Sequence, residues 1–253
     1  MTFVSLPRTV WGAKGAEQRA LLVHGLGSLG ESCWQIAMAL ASRKWSATAV
    51  DLRGHGSAPD GPSYRIRDFA EDLVRTEPPQ GSQWDVVIGH SIGAASALFA
   101  AAMKSDWTRK LILLDPALKL GATSRREVLE NQRNGHLHQK LEDLTALHPS
   151  WHPRDVELKL LGQKSARLFA LEHAVLDNKP WDETDTAKKI KIPTHVIGAD
   201  PLRGSMFCND YAKRVVGQNA NISYEIISGA GHSIHRDKPK ETIAAIFRSL
   251  SKP

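Results

Sequence analysis

Trp84-Asp85-Val86-Val87-Ile88-Gly89-His90-Ser91-Ile92-Gly93-Ala94-Ala95 is the stretch on which the fold turns. Residues 84–88 are an apolar run short enough for a buried strand, and residues 91–104 are Ala-rich with the length of a helix. Between them stands G-x-S-x-G in a strand–turn–helix context. Such a turn is tight, and side chains two positions either side of the serine would collide with it. Gly89 and Gly93 satisfy that demand, while Ala94 and Ala95 allow the helix to lie close to the sheet. The geometry predicts a Ser91 hydroxyl exposed at the carboxyl end of a strand, beside a helix N-terminus.

Outward from this point the same rhythm repeats. Residues 19–23 and 46–50 read as strands before it, and 110–114, 194–197 and 222–227 as strands after it. Helical spacing covers 34–41, 66–74 and 241–250. Strands apolar on both faces and separated by helices predict an α/β fold: a mostly parallel central sheet with helices on both faces. The rhythm stops between residues 119 and 188. No strand is read there, and helical patterns are interrupted at Pro149, Pro153 and Pro180. The expected organisation is a core of residues 1–118 and 189–253 with a helical cap of residues 119–188.

A serine hydroxyl needs a base to become a nucleophile. His232, in Gly229-Ala230-Gly231-His232 just past the last strand, is the candidate, with His235 its local rival. His90 adjoins Ser91, but its side chain should point away from the hydroxyl. An acid must orient the imidazole. Asp200, in Gly198-Ala199-Asp200-Pro201 after the strand at 194–197, is the first choice. Asp115, which ends the strand after the nucleophile helix, is the alternative acid, and Asp177 a third. Two backbone donors are needed for a developing oxyanion. Ile92 N–H, directly after Ser91, is one. Leu26 N–H, in His24-Gly25-Leu26-Gly27, is the other, with Gly27 second to it. His24 is read as holding that loop.

Together these motifs resemble the α/β-hydrolase fold superfamily over almost the whole chain. Besides Gly89–Gly93 and the His24–Gly27 loop, Asp51-Leu52-Arg53-Gly54-His55-Gly56-Ser57 is similar to the family's D-x-R-G-H-G-x-S turn. Ile192-Pro193 and the Gly229–His232 loop are also family-like. Two departures are visible: Ser57 is followed by Ala58, and the loop after Asp200 reads Pro201-Leu202-Arg203-Gly204 without the commoner valine-proline ending. The resemblance implies a serine hydrolase with Ser91, Asp200 and His232 in that chain order. Its substrate class would be an ester, lactone or thioester, of carboxylesterase or lactonase type. The same constellation also serves C–C bond hydrolases and cofactor-free haloperoxidases, and a non-catalytic small-molecule receptor could use the same pocket. Trp151, Trp181, Leu168 and Leu171 in the cap are the candidate lining of an acyl pocket.

Composition narrows the partners. With 42% hydrophobic and 24% charged residues over 253 positions, the chain is globular rather than disordered or fibrous. Two cysteines, Cys33 and Cys208, exclude a disulfide framework. The net charge of +6 is scattered, and its densest cluster, Lys188-Lys189-Ile190-Lys191, is too short for a nucleic-acid-binding arm. Gly25-Leu26-Gly27-Ser28-Leu29-Gly30 fits a dinucleotide pattern superficially, yet that reading leaves Ser91 and His232 unexplained. The cap histidines His136, His138, His148, His152 and His173 have no metal-site spacing, so neither metal nor cofactor is expected. The N-terminal residues 1–11 contain Pro7 and Arg8 where a signal peptide would be apolar. The longest apolar run, about a dozen residues from Ile92, falls short of the roughly twenty a membrane span needs. A soluble cytoplasmic protein acting on a small acyl substrate, without nucleic acid or membrane partners, is the expectation.

Overall fold

A computed structural model describes residues 3–13 and 15–251. Residues 1, 2, 14, 252 and 253 lie outside it, and with them part of the N-terminal stretch considered above. In chain order the elements are β1 (Arg8–Trp11), β2 (Gln18–Val23), α1 (Trp34–Ala41), β3 (Trp45–Val50), α2 (Ile66–Val74), β4 (Val86–His90) and α3 (Ile92–Met103). There follow β5 (Leu111–Leu114), β6 (Lys119–Leu120), α4 (Ala122–Leu137), α5 (Leu141–Leu147), α6 (Pro153–Ser165), α7 (Leu168–Leu176), β7 (Trp181–Asp182) and α8 (Thr184–Lys188). The chain closes with β8 (Thr194–Gly198), α9 (Asn209–Gly217), β9 (Ile222–Ile226), α10 (Ile234–Asp237) and α11 (Pro239–Leu250).

Seven strands form one sheet in the order β1-β3-β2-β4-β5-β8-β9. Every neighbouring pair is parallel except β1 with β3. The alternation along each strand explains why the sheet is covered twice. Leu21, Val23, Val87, Leu111 and Leu113 join one apolar cluster with Phe69 and Leu73 of α2 and Leu98 of α3. Ala20, Leu22, Val86, Ile88, Ile112 and Leu114 join the other, with Ile36 and Leu40 of α1 and Ala245 and Ile246 of α11. Successive side chains point to opposite faces, so a strand apolar at every position needs a helix layer on each side.

The structure adds three strands, and the helices α9 and α10, to the elements read from sequence. β1 is short, mostly exposed and antiparallel at the sheet edge, where burial imposes no apolar pattern. Trp84 and Asp85 precede the regular strand, and Trp84 makes an isolated bridge to Thr108 instead. Residues 119–188 do contain strand: β6 and β7 pair antiparallel, Leu120 opposite Trp181. Two-residue strands carry no periodicity, so only the pairing of distant residues reveals them. This pair joins the two ends of a segment whose remaining regular elements are helices and which adds no strand to the main sheet.

That segment is tied to α1, the Asp60 loop and α2 by polar contacts. Asp155 of α6 accepts from Trp34 Nε1 at 2.9 Å and Gln35 Nε2 at 2.6 Å. Arg167 pairs with Asp60, and Asn178 accepts from Ile66 N–H at the start of α2. The Asp51–Ser57 turn is a second knot. Asp51 accepts from the N–H groups of Gly30 and Ser57, while Arg53 grips Asp72 through two bonds of 2.6 and 2.8 Å in full burial. Among the described residues no helix is long and apolar enough to cross a membrane.

Candidate active site

Ser91 sits between β4 and α3 with φ 54° and ψ −118°, a backbone conformation that non-glycine residues seldom adopt. Its neighbours must be small. A Cβ on Gly89 would lie 2.7 Å from Cα of Ala94, and one on Gly93 would lie 2.3 Å from the His24 carbonyl oxygen. The turn therefore lifts the Ser91 side chain out of the sheet while α3 and the β2 loop close in around it.

His232 reaches this hydroxyl from the loop between β9 and α10. Ser91 Oγ–H donates to His232 Nε2 at 2.9 Å, and His232 Nδ1–H donates to Asp115 Oδ2 at 2.6 Å. His90 braces the arrangement from behind, its Nε2–H donating to the His232 carbonyl oxygen at 2.9 Å. Burial, followed by the charges of His232 and His235, holds the His90 imidazole well below the usual histidine range, so it acts as a neutral donor. His235, read as the local rival for the base, is buried and packs edge-on against His90, and the ring nitrogen that meets Ser91 Oγ belongs to His232 instead.

The carboxylate that bonds His232 is Asp115, not Asp200. Asp115 ends β5, next to the nucleophile strand, and has no exposed surface. Besides His232, its carboxylate accepts from Ser205 Oγ at 2.6 Å, Met206 N–H at 3.0 Å and Ala199 N–H at 3.2 Å. Burial pushes this carboxyl upward, but the His232 bond and charge and the Met206 and Ser205 donors outweigh it, leaving its pKa below the ordinary value. Asp200 lies at the surface end of the next strand. It accepts from Leu202 N–H at 2.9 Å, capping the turn Pro201–Arg203, and from Gly229 N–H at 2.8 Å. Asp200 thus shapes the histidine loop from outside, while the loop around it wraps the Asp115 carboxylate. Asp177, the third option, binds Tyr64 N–H and His173 instead.

A cavity of about 190 Å³ opens in front of Ser91 and His232, with Leu26 and Ile92 in its wall. Ile92 is the first residue of α3, where an N–H has no carbonyl one turn earlier to bond. His24 holds the Leu26 loop. Its Nδ1–H donates to the Gly25 carbonyl at 2.8 Å, and its Nε2 accepts from Leu52 N–H at 3.0 Å. Such an arrangement can generate a nucleophilic alkoxide at Ser91 and present backbone donors beside it.

Of the four expected pocket residues only Trp181 lines this cavity, its Nε1–H bonded to the Ala117 carbonyl at 2.7 Å. Trp151 stacks on His148 and donates to Asp237 at 2.6 Å, joining the segment to α10. Leu168 and Leu171 are also outside the cavity wall. α7 packs on α4 and on the turn at Gly54, so its apolar face serves the core. Side chains of α4 and α6 supply wall positions that sequence reasoning missed: Val128, Asn131, Gln132 and Lys159, to which α10 adds Arg236. Neither their spacing nor their composition marks them.

Comparison with known proteins agrees with this architecture. The model of the alpha/beta hydrolase family matches residues 20–246, and the chain belongs to that family. It is similar to Esterase YbfF of Escherichia coli (strain K12), 25% identical over 251 residues that cover 91% of this chain and 92% of the esterase. The crystal structure of E-2-(acetamidomethylene)succinate hydrolase superposes with a TM-score of 0.83 at 18% identity, covering 98% of this chain and 96% of that one. An enol-lactonase from Burkholderia xenovorans LB400 gives 0.79 at 16% identity, covering 98% and 97%. These two likenesses are of fold. The relatives named as esterases and lipases mark the chain as a hydrolase in the general sense.

Proposed function

We propose that the chain is a serine hydrolase that cleaves an ester, lactone or thioester through an acyl-enzyme, with Ser91, His232 and Asp115 as its catalytic residues. The observation that carries this reading is the continuous hydrogen-bonded chain from Ser91 Oγ through both ring nitrogens of His232 to a buried carboxylate. In the first half-reaction His232 Nε2 takes the Ser91 proton as Oγ bonds to the acyl carbon. The carbonyl oxygen becomes an oxyanion held by the N–H groups of Leu26 and Ile92. Its collapse breaks the bond to the leaving group, which departs with the proton from His232. In the second half-reaction His232 deprotonates water, which attacks the acyl carbon. The free acid leaves and Ser91 recovers its proton. Asp115 holds His232 in the tautomer with Nδ1–H and stabilises the imidazolium between steps.

Residues 119–188 act in this scheme as the cap that limits the acyl cavity, and the substrate is a small acyl compound. Both cysteines are unpaired, which suits a reducing, cytoplasmic setting. Ser91→Ala tests the reading. It is expected to abolish labelling by a fluorophosphonate probe and to lower kcat on 4-nitrophenyl esters by about 10⁴-fold or more, with an unchanged circular dichroism spectrum. Persistent covalent labelling of the variant would remove Ser91 from the nucleophile role.

A further inference from the structure

The wall of the Ser91 cavity carries two cationic side chains, Arg236 of α10 and Lys159 of α6. Arg236 is only 4% exposed, yet it forms no ion pair with any described carboxylate. Among the described residues its Nε has no hydrogen-bond partner, Nη2 has only a long 3.4 Å contact to Ser28 Oγ, and the guanidinium carbon lies 5.1 Å from the centroid of the Trp151 ring. Lys159 has neither an ion pair nor a hydrogen bond among the described residues. Its ammonium is pushed down to about 7, first by burial and then by the charge of Arg236.

The nearby carboxylates are committed elsewhere. Asp155 takes its bonds from Trp34 and Gln35, and Asp237 takes its bonds from Trp151 and Gly231. Neither belongs to the cavity wall. Cys33, also in the wall, has its thiol pushed up to about 12 by burial and so supplies no negative charge. Ser28 and Ser32 line the same side, and the buried Ser32 Oγ has no partner. Buried cations are normally paired, because desolvation of an unpaired charge is costly. Here a buried arginine and a half-buried lysine, with two hydroxyls, face a space open to the reacting serine.

We propose that this side of the cavity binds a carboxylate carried on the acyl chain of the substrate, so that the enzyme acts on half-esters, or equivalent mono-acyl derivatives, of short dicarboxylic acids. The planar fork of Arg236 suits a carboxylate, and the Lys159 ammonium adds a second charge-assisted donor. The volume of about 190 Å³ is below the usual range for ligand pockets and restricts the chain to a few carbons. For the reaction this inference rests on the serine hydrolase reading; for binding it does not. Hydrolysis of 4-nitrophenyl hydrogen succinate would release 4-nitrophenol and succinate by the two half-reactions above, with one water consumed.

The test compares 4-nitrophenyl hydrogen succinate with 4-nitrophenyl butyrate, a neutral ester of similar length. The wild-type protein should favour the half-ester in kcat/KM by about tenfold or more, and Arg236→Gln should cut that ratio by about 100-fold. Lys159→Met, at a less buried site, should cut it by about tenfold and decides the matter if Arg236→Gln does not fold. A wild-type preference for butyrate, or variants that leave the ratio unchanged, overturns the proposal. The Ser91→Ala protein titrated with glutarate supplies a readout without turnover. Glutarate should raise its melting temperature, and Lys159→Met added to Ser91→Ala should remove most of that rise. No rise, or a larger one with inorganic phosphate, overturns the carboxylate assignment even if butyrate is hydrolysed. Conversely, glutarate binding by a protein that hydrolyses neither ester upholds the subsite and sinks the hydrolase reading.

Discussion

The ends of β5 and β8 look alike in sequence and do different work. Each is an apolar parallel strand that stops at an aspartate followed by proline, Asp115-Pro116 and Asp200-Pro201. Both aspartates lie between Ser91 and His232 in the chain, so the order of nucleophile, acid and base fits either. In the folded protein Asp115 is enclosed and bonds His232, whereas Asp200 caps a surface turn and holds Gly229. The loop that carries Asp200 delivers Ala199 N–H, Ser205 Oγ and Met206 N–H to Asp115. The second strand end thus equips the first. A carboxylate's role is set by what its neighbours donate to it, and position at a strand end does not reveal that.

The largest expected effect breaks or upholds this comparison directly. Asp115→Asn should keep the shape but favour the wrong histidine tautomer, lowering kcat on 4-nitrophenyl esters by about 10⁴-fold. Asp200→Asn should keep kcat within about threefold of wild type, since it alters a loop contact outside the reacting groups. Steady-state kinetics paired with a melting curve for each variant separates chemistry from folding. A near-normal Asp115→Asn beside a crippled, folded Asp200→Asn would reverse the assignment.

An acid titration sharpens the same contrast. Burial raises the Asp115 pKa, and the His232 bond and charge, with the Met206 and Ser205 donors, lower it further than burial raises it. A carboxyl whose folded pKa lies below its unfolded value adds stability that is present above the unfolded pKa, about 3.9. That stability is lost as pH falls through the lower folded value. The difference in melting temperature between wild type and Asp115→Asn should therefore shrink as pH drops from about 5 to about 3. A difference that stays constant over that range would show that the Asp115 charge adds nothing to stability.

The smallest effect concerns the two tryptophans of residues 119–188. Trp181 lines the cavity and Trp151 does not. Trp181→Phe should change the ratio of kcat/KM between 4-nitrophenyl acetate and longer acyl esters, by roughly 10-fold. Trp151→Phe, which loses the bond to Asp237, should lower the melting temperature and leave that ratio within about twofold. An equal shift of selectivity in both variants would mean that the cavity extends across the His148–Trp151 stack.

Much of the fold was legible because it depends on local patterns. Apolar runs at 19–23, 46–50 and 110–114, each bounded by turn residues, could only be buried strands between helices. The tight turn at Ser91 could only be built with Gly89 and Gly93, so spacing alone located it. The places of His232, Leu26 and Ile92 around one cavity follow from a related feature: each lies close to glycines just past the end of a strand. The edge strand β1 and the paired β6 and β7 were not legible, since short or exposed strands have no pattern for burial to impose.

What the sequence by itself determined is therefore the order of the six parallel strands, the two-sided sheet and the backbone geometry at Ser91, all consequences of steric and burial rules acting within a few residues. Only the tertiary structure decided which aspartate faces His232, that His90 braces it, and that Arg236 and Lys159, 77 positions apart by number, share one cavity wall. Those outcomes depend on how strand ends, loops and the helices of residues 119–188 meet in space. Hydrogen-bond donors and charges act over a few ångströms, and chain distance says nothing about which of them will come that close.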